Sequence, residues 1–382
     1  MKKILATLIA VCLFSSLTGC DWFNTSSTEK SYSETIQEFE GSVEVVPYYY
    51  SQLTDIEKAA YISIVNAINN SDDKAEVPSI DEDSLKKITS AVSYDNPQFL
   101  WLSKSWTITH YVTSSQIEIP YLLSADERKE MSQELESKIT RIMRGINIAM
   151  GDYEKELYFH DYLVENCIYD SAATSDDEHI NAYTAYGALI EGKAVCEGYA
   201  RAMQILLTRA GVESYLVIGT AVQNGVNESH MWNAVKVGSD WYHLDVTWDD
   251  PRGNSAATWH TYFNLSDEEI GSDHFFEEKT QCNSSKANFY RKNSTFFTSF
   301  NSSSFADALA DEIYNAKQMN LNFVEVKFSN QSDFIAAKQA IFQQQLLFVA
   351  TNRVYNRYSL KIDTSNVYGS TFDTQLVIGI SF

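Results

Sequence analysis

The stretch GKAVCEGYARAMQILLTRAG, Gly192 to Gly211, sets a cysteine at the head of an amphipathic run. Ala200, Met203, Leu206 and Leu207 recur behind it at helical spacing, and Gly211 is a natural stop. Gly192 and the short residues ahead of the cysteine allow a tight turn. Cys196 therefore falls on the first turn of a buried helix. Unpaired backbone N–H groups and the positive end of the helix dipole favour thiolate over thiol there. The same N–H groups suit an oxyanion formed when the sulfur attacks a carbonyl. A cysteine at a helix start is equally a small packing residue or half of a disulfide, so this stretch alone leaves its role open.

Downstream, HMWNAVKV and WYHLDVTW read as two strands around a Gly-led turn. A two-residue turn at Gly238-Ser239 pairs Val237 with Asp240 and sets position 230 opposite 247. His230 and Asp245 then become diagonal neighbours on one face, because strand side chains alternate with a period of two. That is the placement needed by a base and the carboxylate that orients it, with His230 taking the proton of Cys196.

GKAVCEGYARAMQILLTRAGV, HMWNAVKV and WYHLDVTWDD together resemble the bacterial transglutaminase-like superfamily, with its Cys, His and Asp motifs in that order. The resemblance covers roughly residues 150–275. It implies an α+β fold with a papain-like core, a nucleophile helix packed on an antiparallel sheet. It also implies Cys196 as nucleophile, His230 as general base and acid, and Asp245 as orienting residue. The lipoprotein arrangement described below looks like that of secreted members of the superfamily. The Ca²⁺ dependence of animal transglutaminases does not transfer, because nothing here resembles an EF-hand loop. No cofactor and no metal site is expected.

Around these three, other residues have quieter readings. Tyr183 or Tyr186 would supply an oxyanion donor, and Tyr183, Trp232 and Trp248 would line a substrate groove, although strand aromatics more often pack a sheet face. Trp241 has the same two readings. His243 is expected on the surface. Asp249-Asp250-Pro251 reads as a turn cap after the strand rather than a Ca²⁺ site. His110 and His160 read as packing or surface residues. Cys167 reads as a buried small side chain, and a bridge from Cys167 to Cys282 stays open.

The N-terminus, MKKILATLIAVCLFSSLTGC, has Lys2 and Lys3, an apolar stretch from Ile4 to Phe14, and Leu17-Thr18-Gly19-Cys20. It looks like a lipoprotein signal in which residues 1–19 are removed and Cys20 is lipidated, and the apolar run is too short to span a bilayer well. Residues 20–35, polar and Ser/Thr-rich, read as a tether. The expected location is outside the cytoplasm, held to the membrane by lipid. The chain carries 29 basic and 51 acidic residues, a formal net charge of −22, and loss of Lys2 and Lys3 deepens it. Such a chain is repelled by nucleic acid and by anionic lipid surfaces.

The body divides into an N-terminal helical and mixed region (36–148), a catalytic segment (149–284) and a C-terminal α+β domain (285–382). Thr54-Asp55-Ile56-Glu57 and Ser124-Ala125-Asp126-Glu127 are capping boxes that open helices, the second running to about Ile146. NPQFLWL, SWTITHYV and QIEIPYLL are β-prone, DYEKELYFHDYLVENCI and HINAYTAYGALI helical, SYLVIGTA a strand, and VQNGVNES a loop. In the last domain NSTFFTSF, NFVEVKFS, RYSLKID and TQLVIGISF read as strands, with two helices between the first three, suggesting βαβαβ connectivity.

A Cys-His-Asp site performs acyl transfer on amides: water as second nucleophile makes a peptidase or amidase, a primary amine makes a crosslinker. Surface proteins or cell-wall peptides are the expected substrates. The competing class is a binding or adhesion module on the same fold; three intact motif residues favour chemistry.

Overall fold

The computed structural model describes residues 31–173, 177–223, 225–250, 257–277 and 281–382. The signal segment, the lipidation point Cys20, most of the tether and Pro251 lie outside the described residues. No helix among the described residues is long and apolar enough to cross a membrane.

The N-terminal part begins with α1 (Tyr32–Ser42), inside the stretch expected to be tether, where Ser31 and Glu34 form a capping box. Helix α2 (Asp55–Asn70) opens on the expected Thr54/Glu57 box. Strand β1 (Lys74–Pro78), helix α3 (Glu82–Asp95) and the hairpin β2 (Thr107–His110) and β3 (Ser114–Glu118) complete a sheet in the order β1-β3-β2. Ile64, Ile88, Val92 and Ile117 are fully buried at its centre. NPQFLWL supplies no strand; Asn96 instead ends α3 and donates to Tyr61 Oη. His110 lies exposed on β2.

Helices α4 (Ala125–Met143, opened by the Ser124/Glu127 box) and α5 (Asp152–Asn166) lead into the centre. HINAYTAYGALI forms a 3₁₀ run over Asp177–Tyr183 and a wider turn over Gly187–Glu191 rather than one regular helix. The cysteine helix, α6 (Cys196–Arg209), follows. The central sheet consists of β4 (Ser214–Gln223), β5 (Val226–Val237), β6 (Asp240–Leu244), β7 (Phe263–Leu265) and β8 (His274–Phe276), antiparallel throughout in the order β8-β4-β5-β6-β7. VQNGVNES was expected as a loop. It extends the β4–β5 ladder instead, with Gln223 paired to Val226.

Helix α6 packs on this sheet through Tyr199, Ala202, Met203, Leu206 and Leu207, against Val235, Tyr242 and Leu244 of the strands and Phe159 and Leu163 of α5. Burying each of the larger side chains contributes roughly 1.5–3 kcal/mol. Asn233 on β5 donates to the Ala200 carbonyl of α6 at 3.0 Å, tying the histidine strand to the cysteine helix.

The C-terminal part holds β9 (Phe296–Phe297), α8 (Ser302–Gln318), β10 (Phe323–Phe328), α9 (Gln331–Gln343), α10 (Leu346–Tyr358), β11 (Tyr368–Phe372) and β12 (Val377–Ser381). The sheet order is β9-β10-β12-β11, with β9 parallel to β10 and the rest antiparallel. The βαβ unit thus holds for β9-α8-β10 only. RYSLKID, expected as a strand, instead gives Arg357 and Tyr358 to the end of α10, a helix whose apolar stripe is carried upstream by Ala350 and Val354, and runs on without pairing. The fold is mixed α+β with antiparallel sheets around a helix-on-sheet core.

Candidate active site

The turn geometry expected for the hairpin is present: Val237 pairs with Asp240, and Gly238 supplies a φ of +63°. The ladder continues to Asn233 opposite Leu244 and stops there. Position 247 never faces 230, because Asp245 leaves the strand and becomes the N-cap of a short helix, α7 (Val246–Asp249). Its Oδ1 accepts from the N–H groups of Thr247 (3.0 Å) and Trp248 (3.2 Å). The carboxylate thus comes to the imidazole through a helix cap rather than through strand pairing.

The result is nonetheless the same contact. His230 Nε2 lies 2.6 Å from Asp245 Oδ2, with Asp245 fully buried. Cys196 acts on the same ring, adding to the rise in its pKa. With Nε2 committed to Asp245, the nitrogen facing the sulfur is Nδ1. Burial alone would disfavour the charged ring, but the Asp245 charge and the bonds to Asp245 and Cys196 outweigh it and raise the His230 pKa to about 10. Burial would likewise raise the Asp245 carboxyl, yet His230 and His274 hold it well below the usual carboxylate range.

Cys196 is half-buried on the first residue of α6, behind an N-cap, Val195, whose side chain makes no capping bond. Its chain neighbours hold a second segment close: Val195 N–H donates to Ala182 O at 2.9 Å. A Cβ at Gly198 would meet that same carbonyl oxygen at 2.5 Å, so the glycine of Cys-Glu-Gly permits the approach.

Three residues outside the motifs complete the cluster. His274, on β8, holds Asp245 Oδ2 at 3.0 Å through Nε2 and Asp273 Oδ1 at 2.6 Å through Nδ1. Tyr262 donates to the other oxygen of Asp273 at 2.8 Å. Nothing in local spacing points to His274. It reaches the site because β8 pairs with β4, a strand that precedes it by some fifty residues.

The remaining expectations divide. Trp232 lines no groove: it is 1% exposed, lies 5.8 Å from the His230 ring at 25°, and donates to His243 Nδ1 at 3.0 Å. His243 is not a surface residue but 1% exposed, bonded to Asp267 at 2.9 Å as well. The face opposite α6 is covered by Tyr215, Tyr262 and Leu265, which makes it a second core. Trp248 is half-buried and 5.8 Å from the His230 ring, a position compatible with lining a site. Tyr183 is half-buried beside Ala182, while Tyr186 commits its hydroxyl to Glu134 on α4. Asp249 and Asp250 are buried and bonded, to His160 and to the Tyr199 hydroxyl respectively. His160, read as a packing or surface residue, is buried and held by a partner 89 residues away. Cys167 and Cys282 are both free and buried, so no bridge joins them.

His230, Asp245 and His274 converge closely enough to suggest a metal. A tetrahedral Zn²⁺ would separate its nitrogen and oxygen ligands by about 3.3 Å. The 2.6 Å contact is that of a direct charge-assisted hydrogen bond instead.

Residues 140–246 match the family model described as the transglutaminase-like superfamily. The central segment is transglutaminase-like. No curated protein matches the chain. Among solved structures the chain is similar to one described as a TGase (13% identity, 46% of this chain and 51% of that one, TM-score 0.28). It is also similar to a candidate cysteine protease from Cytophaga hutchinsonii (16%, 37% and 61%, TM-score 0.25) and to a candidate protease from Parabacteroides distasonis (9%, 40% and 36%, TM-score 0.24). The chain therefore spans less than two thirds of each of these structures. The transglutaminase-like match ends one residue past Asp245, so it takes in Cys196, His230 and Asp245 but not His274.

Proposed function

We propose that this protein is a thiol enzyme that performs acyl transfer on peptide amide bonds. The observation that carries the reading is the His230 Nε2–Asp245 Oδ2 contact at 2.6 Å, with Cys196 on the first residue of α6 acting on the same ring. Cys196 attacks the amide carbonyl, and the oxyanion is met by backbone N–H groups at the start of α6. His230 Nδ1 receives the thiol proton and passes it to the departing amine. Asp245 fixes the ring's orientation and balances its charge. Water or a primary amine then resolves the thioester, giving hydrolysis or crosslinking. The lipid-anchored placement read from Cys20, outside the cytoplasm, makes surface proteins and cell-wall peptides the proposed substrates.

The test is labelling with a thiol-directed alkylating probe near neutral pH, followed by peptide mapping. Modification of Cys196 should fall at least tenfold in His230→Ala and vanish in Cys196→Ala. Equal labelling rates in wild type and His230→Ala would defeat the assignment. Incubation with peptide and cell-wall fragments, scored by mass, separates hydrolysis from amine incorporation.

A further inference from the structure

Helix α5 and the segment before β7 bring two histidines to one carboxylate. His160 Nδ1 and His260 Nε2 each lie 2.9 Å from the same atom, Asp161 Oδ1. The ring centroids are 5.0 Å apart at 32°. Both rings are buried, while the Asp161 side chain is 36% exposed and so opens the cluster to water on one side.

The outward nitrogens settle what the cluster suits. His160 Nε2 faces Asp249 Oδ2 at 3.1 Å, and His260 Nδ1 faces Glu325 Oε1 at 2.6 Å. Asp249 is fixed in turn by the Tyr262 N–H at 2.9 Å, and Glu325 by the Tyr290 hydroxyl at 2.6 Å. A carboxylate behind each imidazole fixes its tautomer, aims its other nitrogen and raises its basicity, the arrangement that supports metal-ligating histidines. The two other clusters of this kind fail that comparison. His230 and Asp245 are too close to straddle an ion. His243 spends its outward nitrogen accepting the Trp232 indole N–H, which lowers the basicity of the ring.

We propose that His160, Asp161 and His260 form a binding site for a divalent first-row transition metal, with zinc as its natural fit. Two imidazoles and one carboxylate are a common protein donor set for such ions, and a water on the Asp161 side completes four-coordination. Entry of the ion requires each N···O separation to open from 2.9 Å to about 3.3 Å, which the half-exposed Asp161 side chain can supply. Two ring N–H bonds break, two metal–nitrogen bonds form and two protons leave. The net charge of the cluster is unchanged. Because Glu325 sits on β10, the ion would tie the C-terminal sheet to α5 and to the helix capped by Asp245.

The test is equilibrium dialysis of the purified, metal-stripped full chain against Zn²⁺, in a Cys196→Ala background that removes the thiol of the proposed active site. One equivalent should bind, and Co²⁺ in its place should give the visible absorption of a four-coordinate nitrogen–oxygen site. Asp161→Asn and Glu325→Gln should each weaken binding about 10–100-fold, with circular dichroism of the metal-free variants showing the fold retained. His260→Gln should abolish it. Absence of stoichiometric binding, or unaltered affinity in Asp161→Asn, overturns the proposal. So does binding that is lost instead in Cys282→Ser, since that places the ion at His243, Asp267 and Cys282.

Discussion

Asp245 Oδ2 accepts from two imidazoles at once, His230 at 2.6 Å and His274 at 3.0 Å, while Oδ1 caps α7. One buried carboxylate thus orients the proposed base, anchors β8 and starts a helix. Asp245→Asn retains an oxygen for the cap but places no charge beside either ring. Reactivity of Cys196 should fall steeply, on the order of 10⁴-fold if the carboxylate acts as an orienting acid, with the fold retained. Asp245→Ala removes all three contacts and should cost about 3–5 kcal/mol of stability. Alkylation rates and denaturant melts of the two variants check this. An Asn variant as reactive as wild type would remove Asp245 from the mechanism.

The same pair sets a pH signature. The Asp245 carboxyl is held below its ordinary range, so its contribution to stability is present above the unfolded value near 4 and is lost as pH falls below that. The His230 ring is raised to about 10, so its contribution is complete below the unfolded value near 6.5 and drains away as pH rises toward 10. His260, also raised to about 10 by Glu325 and Asp161 against its burial, acts in the same direction. These two histidines should therefore make the melting temperature decline from about pH 7 to 10. The decline should be shallower in His230→Gln. Identical slopes in the two proteins would refute the coupling.

Much of this site was legible in local patterns. A glycine-led turn fixes the β5–β6 register from Val237 to Asn233, and a cysteine ahead of a 3.6-residue apolar stripe fixes its place on a helix start. The errors share a cause. WYHLDVTW is β-prone to its end, but Asp245 finds the Thr247 and Trp248 N–H groups and ends the strand. His243 looked exposed because half of an antiparallel strand usually faces water. Here Trp232 and Asp267 bury it, as part of a second core that no single strand announces. His274 and Glu325 come from β8 and β10, whose partners are far away in sequence, and Asp273 directly precedes β8, so only tertiary structure reveals them.

The three cysteines among the described residues differ in a way labelling can read. Cys167 and Cys282 are 2% and 0% exposed, and burial pushes the Cys167 thiol up to about 12 and the Cys282 thiol higher still. Cys196 alone is half-buried beside a histidine. Mass mapping after alkylation of the native protein at neutral pH should find label on Cys196 and none on the other two. In denaturant all three should react. Native labelling of Cys282 would contradict the packing described around Asp267.

Gly198 decides whether the start of α6 stays assembled. A Cβ there would lie 2.5 Å from Ala182 O, 2.8 Å from Ala194 Cβ and 3.0 Å from Thr184 O. Two of those neighbours are backbone and cannot swing aside, so the 182–184 segment has to retreat from the helix. Ala182 O also holds Val195 N–H, the residue just before the nucleophile, and the retreat lengthens that 2.9 Å bond. Gly198→Ala should therefore destabilise by about 1–3 kcal/mol, as overpacking does. It should also slow Cys196 alkylation by more than the fraction unfolded explains. Gly225→Ala is the control. That glycine, unlike the helical Gly198, has positive φ, and no atom lies within 4 Å of a Cβ there, so it should cost stability through backbone strain alone and leave alkylation unaltered. Equal alkylation rates for Gly198→Ala and wild type would show that the Ala182 contact plays no part in placing the sulfur.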